Sequence, residues 1–358
     1  MTTEAPDVSA LSDALFDTPA DDEPRLGITL ALLVQHRGRV VFERYGTQPD
    51  TVFGPGGPVT ADSTLISWSV AKSITHAAVG VLVADGVVDV DAPAPVPEWR
   101  GTDREGITLQ QLLEMRSGLH FVEDYVDDAT SNCLEMLYGA GQADMAAYAA
   151  SQPLEHEPGA VWNYSSGTTN IVSRIVGSIV GTMVGSTVGT TVGTTVGSTV
   201  GDGSAGMEAF LQDRLFGPLG MTSAVAKFDD AGTFVGSSYV YATARDFARF
   251  GQLYLDDGVV GDQRLLPPGW RDHGATQTAV DPETGLGYGR HWWRWPQFDD
   301  VFACHGYEGQ YIVVSPSREL VVVHLGKTSV ELQASLRDTI ASIVDAFPPA
   351  AASANTEG

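Results

Sequence analysis

A helix with a serine at its start and a lysine one turn later constrains this chain more than any other feature. Ser67-Trp68-Ser69-Val70-Ala71-Lys72-Ser73 runs directly into Ile74, Ala77, Ala78, Val79, Val81 and Leu82. Apolar residues at this spacing predict a helix from about Ser69 to Ala84, apolar enough to lie inside the protein. Positions i and i+3 share a helix face, so Lys72 can bring its amine to the Ser69 hydroxyl. A serine hydroxyl near neutral pH needs an adjacent base to act as a nucleophile. A lysine supplies one only when burial or a neighbouring positive charge keeps it partly neutral. The start of a helix also carries partial positive charge that favours a developing oxyanion. Alone, Ser-x-x-Lys reads equally as a helix cap followed by a solvated lysine. Lysine is scarce here, however, occurring only at 72, 227 and 327.

The chain has 358 residues, enough for a large core or two lobes. Its 45 acidic residues against 20 basic ones give a formal net charge of −25. Nucleic acid and anionic membranes are poor partners for such a surface, because both need a basic face. Acidic residues spread along the chain, with few lysines, resemble a surface adapted to high salt, where screening removes self-repulsion. Cys133 and Cys304 form no C-x-x-C pair and read as free thiols of a reducing compartment, although one disulfide is possible. The first residues have neither a basic nor an apolar signal region, so the expected location is cytoplasmic. No Cys/His cluster, H-E-x-x-H or glycine-rich phosphate loop appears, so neither a metal nor a cofactor is expected.

β-rich segments lie toward both ends of the chain, and helices fill the middle. Ile28–Val34 and Val40–Tyr45 form a hairpin around Arg37-Gly38-Arg39; Gly309–Ser315 and Leu320–Leu325 form another around Pro316-Ser317-Arg318. Helices are predicted at 109–113, at 131–151 as one or two, at 170–180, 207–215, 244–254 and 329–346. The predicted class is therefore α/β of the α+β type: one antiparallel sheet built from both terminal segments, flanked by helices, with an inserted mainly helical lobe. The predicted boundaries are an acidic disordered lead-in with a short helix over 1–25, a sheet lobe over 26–75 plus 225–347, a helical lobe over 76–224, and a disordered tail over 348–358.

Within the helical lobe, Val-Gly recurs every four residues from 176–177 to 200–201. Gly, Val, Ser and Thr at this density are poor helix formers. Small residues four apart also form helix-packing zippers in membranes, but the spacers here are mostly Ser and Thr and no basic flank marks an orientation. A low-complexity surface insertion over 176–203 is the expectation.

Two further stretches carry chemistry. Tyr164-Ser165-Ser166 follows Pro158-Gly159 and Trp162; a phenol relays protons if a cation such as Lys72 lowers its pKa, and is otherwise an ordinary core tyrosine. Cys304-His305-Gly306-Tyr307-Glu308-Gly309-Gln310 precedes the last hairpin, where glycines let an edge strand approach a substrate. A backbone N–H there could complete an oxyanion hole with that of Ser69.

In this order, the three elements resemble those of the serine β-lactamase-related family, the class C and penicillin-binding-protein-like serine hydrolases. Further landmarks agree: Ile107-Thr108-x-x-x-Leu112-Leu113-x-x-x-Ser117-Gly118-Leu119, Pro218-Leu219-Gly220-Met221 and Asp246-Phe247-Ala248-Arg249-Phe250-Gly251. Phe121-Val122-Glu123-Asp124-Tyr125 with Gly306-x-x-Gly309-Gln310 looks most like the branch of 6-aminohexanoate-dimer hydrolases and related esterases. The resemblance spans roughly residues 25–345 and implies a β-lactamase/transpeptidase-like fold.

It also implies roles. Ser69 would be acylated, Lys72 would be its base or proton shuttle, and Tyr164 would protonate the leaving group and aid deacylation. Ser69 and Tyr307 would supply the oxyanion-hole N–H groups. Tyr125 matches a substrate-covering tyrosine, and Ser166, His305 and Gly306 join Tyr307 as implied substrate contacts. Two positions depart from the pattern: Tyr-x-Asn is Tyr164-Ser165-Ser166, and Lys-Thr-Gly is Cys304-His305-Gly306. Histidine titrates near neutral pH, so His305 either takes part of the missing lysine's role or only lines the pocket. The implied substrate is a small ester or linear amide. β-Lactamase or D-alanyl-D-alanine carboxypeptidase activity, and a catalytically silent binding module on the same fold, are the alternatives; oligomeric state stays open.

Overall fold

The computed structural model describes residues 5–17, 26–51, 54–126, 130–189 and 203–350. The rest of the lead-in, the later Val-Gly units and the tail beyond residue 350 lie outside the described residues.

An eight-stranded antiparallel sheet organises the chain. Its strands are β1 (Ile28–His36), β2 (Arg39–Tyr45), β3 (Ala279–Val280), β4 (Gly287–Tyr288), β5 (Trp293–Arg294), β6 (Phe302–Gly306), β7 (Gln310–Ser315) and β8 (Leu320–Lys327), in the order β3-β4-β5-β6-β7-β8-β1-β2. The N-terminal hairpin joins the C-terminal one through β1 and β8, whose register runs from Ile28 opposite Lys327 to His36 opposite Leu320. Leu30–Val34 and Leu320–Leu325 are buried throughout, as a strand covered on both faces requires.

Alternation divides the two faces. Ala31, Leu33, Val321 and Val323 point toward one core with Phe247 and Phe250, while Leu32, Val34, Val313 and Val322 point toward another with Leu336, Ile340 and Val344. The second core also takes Val8 and Leu15, which flank or lie on a helix at Ser9–Phe16 (α1). That part of the lead-in is therefore docked rather than disordered: Val8, Leu11 and Leu15 make an apolar stripe that packs beside the C-terminal helix Gln333–Asp345.

Helix α2 (Val70–Ala84) lies between the sheet and the helical region, with every residue from Val70 to Leu82 buried. A division at residues 75 and 76 cuts this single element, so the two predicted lobes share it. Among the described residues, the helical region then carries α3 (Leu109–Leu113), α4 (Asn132–Tyr138), α5 (Met145–Ser151), α6 (Ser166–Gly189) and α7 (Gly203–Leu211), with shorter helical turns between and after them. Thr108 and Gln111 form a reciprocal capping box on α3. The Val-Gly repeat does not begin as a surface insertion: α6 carries it as helix to Gly189, and Val176 and Val180 lie in the core. Residues four apart share a helix face, so the first two repeat valines face inward together despite their weak propensity. A small sheet of Leu65–Ile66, Val240–Ala242 and Val225–Ala226 then brings the chain to the front of α2.

Candidate active site

Ser69 sits at the N-terminus of α2, reached through a turn in which Trp68 adopts the left-handed conformation (φ 43°). Such a conformation is strained for a bulky residue and is held here by neighbours. The Ser67 hydroxyl donates to the Ser238 carbonyl at 3.1 Å and accepts from Val240 N at 3.0 Å, tying the turn to the small sheet. Ser69 is 8% exposed, whereas Lys72 one turn later is 1% exposed.

Lys72 Nζ lies within hydrogen-bond reach of three oxygens: Ser69 Oγ at 2.8 Å, Ser166 Oγ at 2.9 Å and the Ser237 carbonyl at 3.1 Å. Burial lowers the Lys72 pKa; Glu123 and Cys133 oppose that shift. Tyr164 enters just before α6, and Lys72 Nζ stands 4.8 Å from the centre of its ring. Burial pushes the Tyr164 phenol up, Glu123 adds to this, and contact with Ser69 works against it. The expectation that Lys72 lowers this pKa does not hold: desolvation dominates, so the phenol keeps its proton. Tyr288 meets Tyr164 edge-on and Trp293 packs on it at a tilt, with ring centroids 5.8 and 5.4 Å away.

β6 closes the other side. A Cβ on Gly306 would fall 2.5 Å from the Ser67 carbonyl oxygen, so only glycine lets this strand lie so close to the start of α2. The turn after it is braced: Gln310 donates to the carbonyls of Tyr307 at 2.9 Å and Gly326 at 2.8 Å, and His324 Nδ1 donates to the Gly309 carbonyl at 2.7 Å. The Tyr307 ring packs against Tyr125 at 4.8 Å and Trp68 at 5.8 Å, giving the site an aromatic rim.

His305 is oriented away from a cationic role. The Trp295 indole N–H donates to its Nε2 at 2.8 Å, and indole can only donate, so this nitrogen is unprotonated. Burial holds the His305 pKa well below its usual value, and the ring stacks on Trp293 at 5.1 Å. Cys133 and Cys304 are free, buried thiols. Among the described residues no group of three or more His, Cys, Asp or Glu is placed to hold a metal ion.

The profile of the Beta-lactamase family matches residues 14–344. The chain belongs to the beta-lactamase family. Two relatives carry other names. The 6-aminohexanoate-dimer hydrolase of Paenarthrobacter ureafaciens is 27% identical over 332 residues, covering 87% of this chain and 76% of the relative. Esterase EstB of Burkholderia gladioli is 30% identical over 176 residues, 45% of this chain and 43% of the relative. Among solved structures, the octameric penicillin-binding protein homologue from Pyrococcus abyssi superposes with a TM-score of 0.69 at 17% identity, over 96% of this chain and 78% of that one. This family's fold, a mixed helical and antiparallel-sheet structure, is the one described above.

Around the candidate catalytic residues, the structure of this family member adds groups that the sequence does not single out. Glu123 accepts from Ser166 N at 2.7 Å, Ser166 Oγ at 2.5 Å and Tyr125 OH at 2.6 Å. In the sequence it stands out only as part of the family-like stretch Phe121–Tyr125, yet in the fold it lies directly behind Ser166. Ser237 donates its backbone N–H to Asn170 Oδ1 at 3.2 Å and meets Lys72 through its carbonyl, a backbone contact that leaves no side-chain signal in the sequence.

Proposed function

We propose that this chain is a serine hydrolase that works through an acyl-enzyme on Ser69, with short esters or linear amides as substrates. The observation that carries this reading is the 2.8 Å contact between Lys72 Nζ and Ser69 Oγ inside a desolvated pocket. Burial favours the neutral amine, the form that can take a proton from Ser69. Ser69 Oγ bonds to the substrate carbonyl carbon while its proton passes to Lys72. The resulting oxyanion would rest on the N–H groups of Ser69 and Tyr307, with the dipole of α2 behind it. As the tetrahedral intermediate collapses, the bond to the leaving alcohol or amine breaks. Tyr164, a phenol that retains its proton, supplies the proton that the leaving group needs and is replenished from Lys72. Water then attacks the acyl ester by the reverse proton path, releasing the acid and free Ser69.

The substrate class rests on three supports: the hydrolase and esterase activities named for the two relatives, the absence of a lysine from the strand motif, and a neutral His305 where that lysine would stand. A substrate carboxylate has no cationic partner there, which disfavours penicillin-type ligands. Tyr125, Tyr307 and Trp68 give an apolar rim suited to an acyl or alkyl chain. Small molecules, rather than nucleic acid, are the partners that a net charge of −25 favours. No helix among the described residues is long and apolar enough to cross a membrane. Two unpaired thiols support a reducing, cytoplasmic setting.

The test is a comparison of turnover by purified full-length protein on a p-nitrophenyl butyrate, a linear 6-aminohexanoate dimer and a chromogenic cephalosporin. Faster turnover of the ester or linear amide supports the reading; preference for the cephalosporin moves the assignment to a lactamase. No turnover of any of the three by folded protein points to a silent binding module.

A further inference from the structure

Ser166 has one hydroxyl proton, and the structure shows where it goes. All three partners of Glu123 donate to it: Ser166 N to one carboxylate oxygen, and Ser166 Oγ and Tyr125 OH to the other. With its proton committed to Glu123 at 2.5 Å, Ser166 Oγ can only accept, and it accepts from Lys72 at 2.9 Å. The Ser237 carbonyl, 3.1 Å from Nζ, also only accepts. A neutral lysine amine has two protons and one lone pair. Ser166 and Ser237 claim both protons, so the lone pair is left facing the third neighbour, Ser69 Oγ.

We propose that Glu123 is a positioning residue for Lys72: through Ser166 it aims the lone pair of the amine at Ser69, and through Tyr125 it ties that orientation to the aromatic rim of the site. The proposal rests on the acyl-enzyme reading above. Glu123 comes from the loop before α4, and Tyr125 packs its ring on Tyr307, so one carboxylate joins the rim to the interior base.

The groups facing Lys72 allow a clean pH readout. Cys133 from α4 and Tyr164 from just before α6 are both pushed upward by burial. His291, from the loop after β4, is held down to about 3. Burial thus works against a charge on each of them, and the acidic limb of acylation is assigned to Lys72. The Glu123 charge favours the protonated amine. Removing that charge moves the limb to lower pH.

The experiment measures single-turnover acylation by a p-nitrophenyl ester from pH 5 to 9 in wild type, Glu123→Gln, Ser166→Ala and the double variant, with a thermal melt of each. Gln keeps one oxygen for Tyr125 and Ser166 Oγ but sets an amide NH2 against Ser166 N–H. The plateau should fall about 10- to 100-fold, as expected when a reacting group loses its alignment. The limb should move acidward by about one pH unit. The double variant should be no slower than the slower single variant, because both act on one chain of hydrogen bonds. Glu123→Asp, which keeps the charge on a shorter stem, should lose rate while the limb stays nearer that of wild type; it also carries the test if Glu123→Gln fails to fold. Wild-type rate and an unmoved limb in Glu123→Gln overturn the proposal, as do losses that multiply in the double variant. A wild type that never acylates overturns the acyl-enzyme reading and this proposal with it.

Discussion

Gly306 lies against Ser67 so closely that a Cβ on Gly306 would stand 2.5 Å from the Ser67 carbonyl oxygen. The last strand before the final hairpin is thereby set beside the turn that presents Ser69. Gly306→Ala must push strand and turn apart. Since the site depends on donors placed to a few tenths of an ångström, kcat on an ester should fall about 100-fold. A circular-dichroism melt checks that the fold survives; wild-type kcat in a folded variant would contradict the placement of this strand in the site.

Lys72, Tyr164 and Ser69 should fail as a unit. Lys72→Ala and Tyr164→Phe should each lower kcat/KM by orders of magnitude, about 10² or more for each acid–base group removed. Combining them should add little further loss, because each already breaks the same proton path. Steady-state kinetics of the two single variants and the double variant decide this. Full activity in Tyr164→Phe rules out the phenol as the proton donor.

Much of this was legible in the sequence, for reasons of periodicity. The apolar spacing from Ile74 to Leu82 placed α2 to within a residue, and β-branched alternation located both hairpins. Ser69 and Lys72 meet because three residues make almost one helical turn. Glu123 was not legible as a site group, because its contacts with Ser166 span 43 residues and depend on how the loop before α4 folds back. The Ser237 carbonyl carries no side-chain signal at all. A short helix in the lead-in was legible, but its docking was not: Val8, Leu11 and Leu15 are few, yet they fall on one face that packs into the core. The helix over 170–180 was legible; its continuation through the first Val-Gly units to Gly189 was not, because the burial that holds Val176 and Val180 against their weak propensity is tertiary.

Buried neutral histidines should make the protein acid-sensitive. Burial holds His324 and His273 down to about 4 and His291 to about 3. In the unfolded chain they titrate near the ordinary value of about 6.5. Between those values the unfolded state binds more protons, so stability is full above pH 6.5 and falls as the pH drops toward 3. A tenfold difference in proton affinity between the folded and unfolded chain is worth about 1.4 kcal/mol, so the three histidines together amount to several kcal/mol. Denaturant melts at pH 7 and pH 5 in about 1 M KCl, where a Debye length of about 3 Å screens long-range repulsion, isolate this effect. Equal stability at the two pH values would contradict it.

The acidic surface predicts the opposite sensitivity to salt. With a net charge of −25, the folded chain should gain Tm as KCl rises from about 0.05 to about 2 M, because screening relieves self-repulsion. Differential scanning calorimetry across that series measures it, and a flat or falling Tm speaks against a high-salt adaptation.

The central claim is a covalent bond between Ser69 and the acyl part of the substrate. Intact-mass spectrometry of protein acid-quenched during turnover of p-nitrophenyl butyrate tests it most directly. Wild type should carry one butyryl adduct, localised by peptide mapping to the peptide containing Ser69, and Ser69→Ala should carry none. An adduct on another residue, or one that persists unchanged in Ser69→Ala, would contradict the account.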